Sequence, residues 1–195
     1  MAKTGFSFGL MIPVGASFGI YSGNNVSYIK SDVGFEFGIH VQPAYFFGLE
    51  YLSFGLGLDL GYNRDLFAFK AVVDEKSKGG VAFDNLMIGI LPRIDIAFVS
   101  IGVGAGIKIP LSGSSYFRES DGGYTSQVYD YKRLQENFKN PYIPYVKAVV
   151  DFLLPYNIVL GVYASYDIPL IEYKDPVSNI KISSFDLGGE FGLRF

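Results

Sequence analysis

From Phe6 the chain alternates with a period of two: Phe6, Phe8, Leu10, Ile12, Val14, Ala16, Phe18 and Ile20 share one parity, and Ser7, Gly9, Met11, Pro13, Gly15, Ser17 and Gly19 the other. Period two belongs to a strand with two unlike faces, here one continuously apolar and one small or polar. The pattern recurs seven times. Strand two runs from Val33 to Tyr45, strand three from Ser53 to Asn63, and strand four from Asn85 to Ile96. Strand five opens at Val99 and reaches Ile109, strand six spans Tyr145 to Phe152, strand seven Ile158 to Ile168, and strand eight Phe185 to Phe195. Pro13 and Pro92 interrupt strands one and four, and since proline cannot donate to a ladder, bulges or strand ends are expected there.

The links alternate in length. Short ones fall near Phe46–Leu52, Ala97–Phe98 and Leu153–Asn157, and longer ones near Ser22–Asp32, Arg64–Asp84, Gly113–Tyr142 and Ile171–Ser183. Short turns at one rim and long loops at the other are the plan of a transmembrane barrel, with the short turns periplasmic. The sequence therefore predicts one all-β domain over 1–195: a membrane β-barrel of eight antiparallel up-and-down strands, with short periplasmic turns and long extracellular loops.

Composition decides between lipid and water. The 195 residues are 49% hydrophobic, 17% aromatic and only 18% charged, with 24 glycines, and the mean hydropathy is +0.26. A soluble chain of this size cannot bury so much apolar surface. No run of 18 apolar residues exists to form a spanning helix, which leaves a closed barrel as the way to satisfy the backbone in hydrocarbon. A soluble barrel would turn its apolar face inward and carry Lys, Glu and Thr outside. Here the second face is rich in glycine, which suits the crowded inside of a narrow barrel. Aromatics near strand ends (Phe6, Phe18, Tyr45, Tyr62, Tyr142, Tyr166 and Phe195) suit interfacial girdles. A barrel must be exported, so Met1-Ala2-Lys3-Thr4, which lacks a charged-then-apolar leader, reads as a start left by a removed signal peptide.

The terminal run Phe191-Gly192-Leu193-Arg194-Phe195 resembles the C-terminal signature of bacterial outer-membrane proteins, a final Phe preceded by apolar residues at alternate positions. The chain as a whole is similar to small eight-stranded barrels such as OmpX, the OmpA membrane domain and OmpW. That resemblance implies residence among outer-membrane lipid in a diderm bacterium. It also implies that the barrel-assembly machinery reads Phe191, Leu193 and Phe195.

Candidate chemistry sits on the inward parity. Glu36, Asp59, Asp95, Asp151, Asp167, Asp186 and Glu190 are the acids there, and Arg93, Lys108, Lys147 and Arg194 the bases. Alternating strand direction sorts them by height. Arg93, Asp95, Lys147, Asp151, Glu190 and Arg194 lie toward the periplasm, and Glu36, Asp59, Lys108, Asp167 and Asp186 above them. A charge in a narrow lumen must be paired or hydrated. The residues thus form either a salt-bridge network that plugs the barrel or a narrow wet path that, with seven acids against four bases, favours cations.

His40, the single histidine, shares the inward parity. Barrel enzymes that process lipid A carry a lipid-facing His-x-Ser pair, and none occurs here, so the chain reads as non-enzymatic. Cysteine is absent, no thiol or multi-histidine metal site can form, and no cofactor is expected. The GxGxG at Gly102, Gly104 and Gly106 lies within a strand with no helix after it, so it does not cradle phosphate. A net charge of −3 argues against nucleic acid. The loop Gly113–Tyr142 carries Tyr116, Phe117, Tyr124, Tyr129 and Tyr131 among charged residues. Amphipathic aromatics of that kind suit contacts with host or matrix molecules, unless the loop packs over the barrel mouth or stands in lipopolysaccharide. Two functional classes follow: a structural or surface-interaction barrel, and a narrow channel or carrier for ions or small apolar solutes.

Overall fold

In a computed structural model of the chain, residues 4–23, 26–138, 142–172 and 181–195 are described. The strands are β1 (Gly5–Ser22), β2 (Ile29–Ser31), β3 (Val33–Gly48), β4 (Leu52–Ala71), β5 (Lys78–Ile90), β6 (Arg93–Ile96), β7 (Val99–Arg118), β8 (Tyr124–Tyr129), β9 (Ile143–Leu153), β10 (Ile158–Glu172) and β11 (Lys181–Arg194). A short helix, α1 (Tyr131–Asn137), follows β8. Eight strands close a ring in the order β4-β3-β1-β11-β10-β9-β7-β5, with β5 returning to β4. All pairings are antiparallel. The seam joins the first strand to the last, with Leu10 opposite Leu193 and Ile12 opposite Phe191. Close approach at that seam requires glycine, because a Cβ on Gly192 would fall on the Leu10 carbonyl oxygen.

The apolar parity faces outward. Leu56, Ile101 and Leu193 are 57%, 45% and 38% exposed, although they sit at the middle or end of paired strands. Their inward neighbours Asp59, Ser100 and Lys108 are fully buried. Apolar outside and polar inside is the arrangement that lipid selects and water rejects. The protein is built as a membrane-spanning β-barrel. An upper girdle (Phe35, Phe37, Tyr62, Tyr142, Tyr166) and a lower one (Phe6, Tyr45, Phe47, Phe98, Phe195) bound the outward band. Replacing the outward-facing Val103 with Arg near mid-span is expected to cost about 2–4 kcal/mol of unfolding free energy in vesicles. Replacing the lumen-facing Ser100 tests volume instead; equal tolerance of arginine at both positions would contradict the assignment of faces.

The prolines fall where the ladders permit them. Pro13 opposes Glu190 on the β11 side, while the β1–β3 ladder skips from Met11–His40 to Val14–Phe37. Pro92 lies in the break between β5 and β6, and β6 resumes pairing with β4 and β7. Strand four of the sequence reading is therefore two pieces of one wall.

The short turns stand where expected, but two of the long links do not. The span Arg64–Asp84 is mostly strand, since β4 continues to Ala71 and β5 begins at Lys78. Likewise Gly113–Tyr142 is not open loop: β7 runs on to Arg118, turns back as β8, and enters α1. The wall thus rises well beyond the hydrocarbon on the β4-β5-β7 side. There β2 takes the place beside β4 that β3 occupies lower down, and β8 takes the place beside β7 that β9 occupies lower down. The link Ile171–Ser183 lies largely outside the described residues, although β11 already begins at Lys181.

Candidate functional site

The lumen is filled by side chains in three tiers. At the periplasmic end the Arg194 guanidinium bonds Asp95 at 2.6 Å and lies 4.3 Å from the Phe46 ring centre. This pair floors a vestibule of about 910 Å³ that opens to the periplasm between Thr4, Phe6, Phe98 and Phe195. Above it, Arg93 bonds Asp151 and donates to Gln42 at 2.7 Å. Only about 10 Å³ of free space remains beside Arg93 and Asp151, room for a single water.

The middle tier joins Lys147 to Glu190 at 3.0 Å and to Asp59 at 3.5 Å. Asp59 accepts from Gln42 at 3.0 Å, and His40 Nδ1 stands 3.2 Å from the same carboxylate. His40 is buried and interior, its ring filling the middle tier beside Asp59.

The upper tier centres on Lys108, whose Nζ lies 3.0 Å from Asp65 and Asp167 and 3.9 Å from Asp186. Asn85 donates to Asp65 at 2.9 Å, Ser165 to Asp186 at 3.0 Å, and Asn63 to Glu36 at 2.7 Å. Tyr163 also donates to Glu36, at 3.2 Å. Asp59, which strand direction sorts with the upper groups, instead meets Lys147, His40 and Gln42 in the middle tier. Asp65 and the amides Gln42, Asn63 and Asn85 were missed as site residues. Asp65 and Asn63 continue the inward parity of β4, which was the signal available.

A second seal lies above the ions. Phe67, Phe83, Tyr129, Leu134, Phe138, Ile143 and Ile182 form one apolar cluster, each 3% exposed or less. Phe67 and Phe83 come from the extended wall and meet edge to face with centroids 5.7 Å apart. Leu134 comes from α1 and Phe138 caps its C-terminus; the helix starts at an Asp130 cap accepting the Arg133 N–H at 2.9 Å and lies across the mouth. Most of the former loop candidates change character accordingly. Tyr129 is 3% exposed, contributes to the seal, and shares hydrogen bonds with Ser115 and Gln127. Tyr116 and Phe117 are wall residues of β7, with Phe117 stacked on Phe69. Tyr124 and Tyr131 remain exposed.

Outside the mouth, Asp32 is held by Lys70 at 2.9 Å and Lys78 at 3.5 Å. Slight burial would raise its carboxyl, but the Lys70 hydrogen bond and the two ammonium charges outweigh that and hold it below the usual range. Among the described residues no three acid or histidine side chains converge on a metal position.

No protein-family description matches the chain, and no curated protein resembles it in sequence. Solved structures resemble it in shape. Ail, the attachment invasion locus protein of Yersinia pestis, aligns over 99% of this chain and 100% of its own, with 16% identity and a TM-score of 0.48. The outer membrane protein OprG from Pseudomonas aeruginosa aligns over 100% and 97%, with 12% identity and a TM-score of 0.41. The outer membrane protease OmpT from Escherichia coli aligns over 98% and 97%, with 6% identity and a TM-score of 0.47. No role transfers from any of the three at such distances.

Proposed function

We propose that this protein is a sealed, non-catalytic barrel that presents its extracellular strands at the cell surface. Closure at two levels carries the reading: the charged tiers fill the lumen, and the Leu134–Phe138 seal covers the mouth above them. Ions crossing the lumen would have to break the Lys108 and Arg93 tiers, whose charged members are 5% exposed or less. Breaking buried ion pairs costs several kcal/mol each, too much for a resting conduction path. Solutes entering from outside would first have to displace α1. On the outside, Phe191, Leu193 and Phe195 project into lipid along the closing strand. There the assembly machinery could read them before β11 zips onto β1.

Planar-bilayer recording of the refolded chain provides the test. The expected result is no unitary conductance at either polarity. Reproducible steps that change size in Asp167→Ala or Lys108→Ala would favour the channel reading instead.

A further inference from the structure

The strand β8 presents an open edge. Among the described residues it pairs with β7 alone. Its sequence, Tyr124-Thr125-Ser126-Gln127-Val128-Tyr129, contains no charge and no proline, and only Tyr129 is buried. Edge strands are usually blunted by charge, proline, bulges or brevity. The other strand added to the rim, β2, follows that rule with three residues centred on Lys30. β8 does not.

The hydrogen-bond alternation shows which groups are open. Glu119 donates its N–H to Gly123 at 2.8 Å across the hairpin. In an antiparallel ladder bonded and non-bonded pairs alternate, so Phe117–Thr125, Ser115–Gln127 and Gly113–Tyr129 carry the bonds to β7. Tyr124, Ser126 and Val128 therefore turn their N–H and C=O groups away from the barrel. The Val128 carbonyl meets the Arg133 guanidinium at 3.4 Å, as an outward carbonyl would.

We infer that this edge docks antiparallel on β8 of a second copy of the chain, centred on Ser126. Such a pairing places Ser126 opposite Ser126 of the partner subunit and Tyr124 opposite Val128 of the partner subunit. No charge opposes a like charge within the paired segment. Beyond its ends, the same register sets Glu119 opposite Arg133 of the partner subunit, and Asp121 between Asp130 of the partner subunit and Lys132 of the partner subunit. The contact is isologous, the self-complementary kind that a twofold axis generates, and it adds strand to strand as in β-augmentation.

Orientation then follows from topology. β7 climbs away from the periplasmic turn at Ala97–Phe98, so β8 descends toward the membrane. Two copies in one membrane both have descending β8 strands, which cannot run antiparallel. A twofold along the membrane normal would cross strands tilted by 35–45° at about 70–90°, and no ladder forms at that angle. The pairing therefore joins copies in two apposed membranes and makes the protein a homotypic bridge between surfaces. It rests on the sealed-surface reading only in taking the extracellular rim as the working end; the recordings above can fail without touching the test below.

The chain has no cysteine, so Ser126→Cys introduces a single thiol. In a bonded antiparallel pair the two Cα atoms stand about 5.5 Å apart, within disulfide reach. Two populations of phosphatidylcholine vesicles carry the full chain, loops outward, with tags of different mass. On mixing, the vesicles are expected to cluster, and oxidation of the Cys variant to give a disulfide dimer containing both tags. Ser126→Pro deletes a bridging N–H and is expected to reduce clustering about tenfold. Ser126→Lys, which sets two ammonium groups face to face, is expected to do the same. Retained heat-dependent gel mobility shows that each variant is a folded barrel. Wild-type vesicles that do not cluster, clustering indifferent to both substitutions, or dimers confined to one population would each overturn the pairing.

Discussion

Replacing Lys108 with Met is expected to lower the unfolding free energy by about 3–5 kcal/mol, because it leaves Asp65, Asp167 and Asp186 buried around a vanished cation. The substitution keeps most of the side-chain volume, so a cavity contributes little. What changes is charge: Glu36, Asp65, Asp167 and Asp186 come from β3, β4, β10 and β11, and Lys108 is the ammonium their tier shares. Urea titration in phospholipid vesicles, followed by gel mobility, measures the loss. The triple variant Lys108→Met, Asp65→Asn, Asp167→Asn removes the two carboxylates that Lys108 holds at 3.0 Å, and is expected to recover at least half of it. A Lys108→Met protein within 1 kcal/mol of wild type would mean that this tier does not hold its charges as described. Loss of stability with no recovery in the triple variant would assign the effect to packing.

The charged tiers were legible because alternation and strand direction are enough to place a residue by face and height. Arg194 with Asp95, Arg93 with Asp151, and Lys147 with Glu190 fell into the lower group on that basis, and each pair is in contact. What could not be read was the wall above the membrane. Within lipid the apolar parity of β4 points out: Phe54, Leu56, Leu58, Leu60, Tyr62. Past Tyr62 the surroundings become aqueous and the preference reverses. Arg64 and Lys70 continue the outward parity, while Phe67 and Phe69 take the inward one. A reading that tracks greasy-outside strands stops at the reversal and assigns the rest to loop. That is why Asp65, one residue beyond Arg64, was missed and why β4 came out eight residues short at its upper end.

The same reversal explains the mistaken view of Tyr129. Aromatics among charges resemble a contact surface when their side of the strand is unknown. Register settles the matter: Tyr129 opposes Gly113 on the inward face, and Tyr124 opposes Arg118 on the outward one. The exposed edge of β8 has no signature in periodicity at all. Whether a strand has a neighbour depends on pairing, and pairing becomes visible only when the ring is closed.

Introducing a charge into the seal separates the two closures. Leu134 is fully buried against the Phe67–Phe83 cluster, and an aspartate there would have to leave or remain unpaired in an apolar site. Helix α1 has seven residues, too short to persist without tertiary packing, so Leu134→Asp is expected to release it from the mouth while the ring stays closed. Trypsin should then cut after Lys132 or Arg133 at least about tenfold faster, in the manner of a locally unfolding segment. Gel mobility should remain that of a folded barrel, and Leu134→Met should behave as wild type. Bilayer recordings should stay silent, because the Lys108 tier lies beneath the seal and is held by contacts that α1 does not make. Unchanged trypsin cleavage would mean that α1 is not anchored through Leu134. Conductance appearing on release would mean that the ion tiers yield to solvent once uncovered, and that the apolar cap alone keeps the barrel shut.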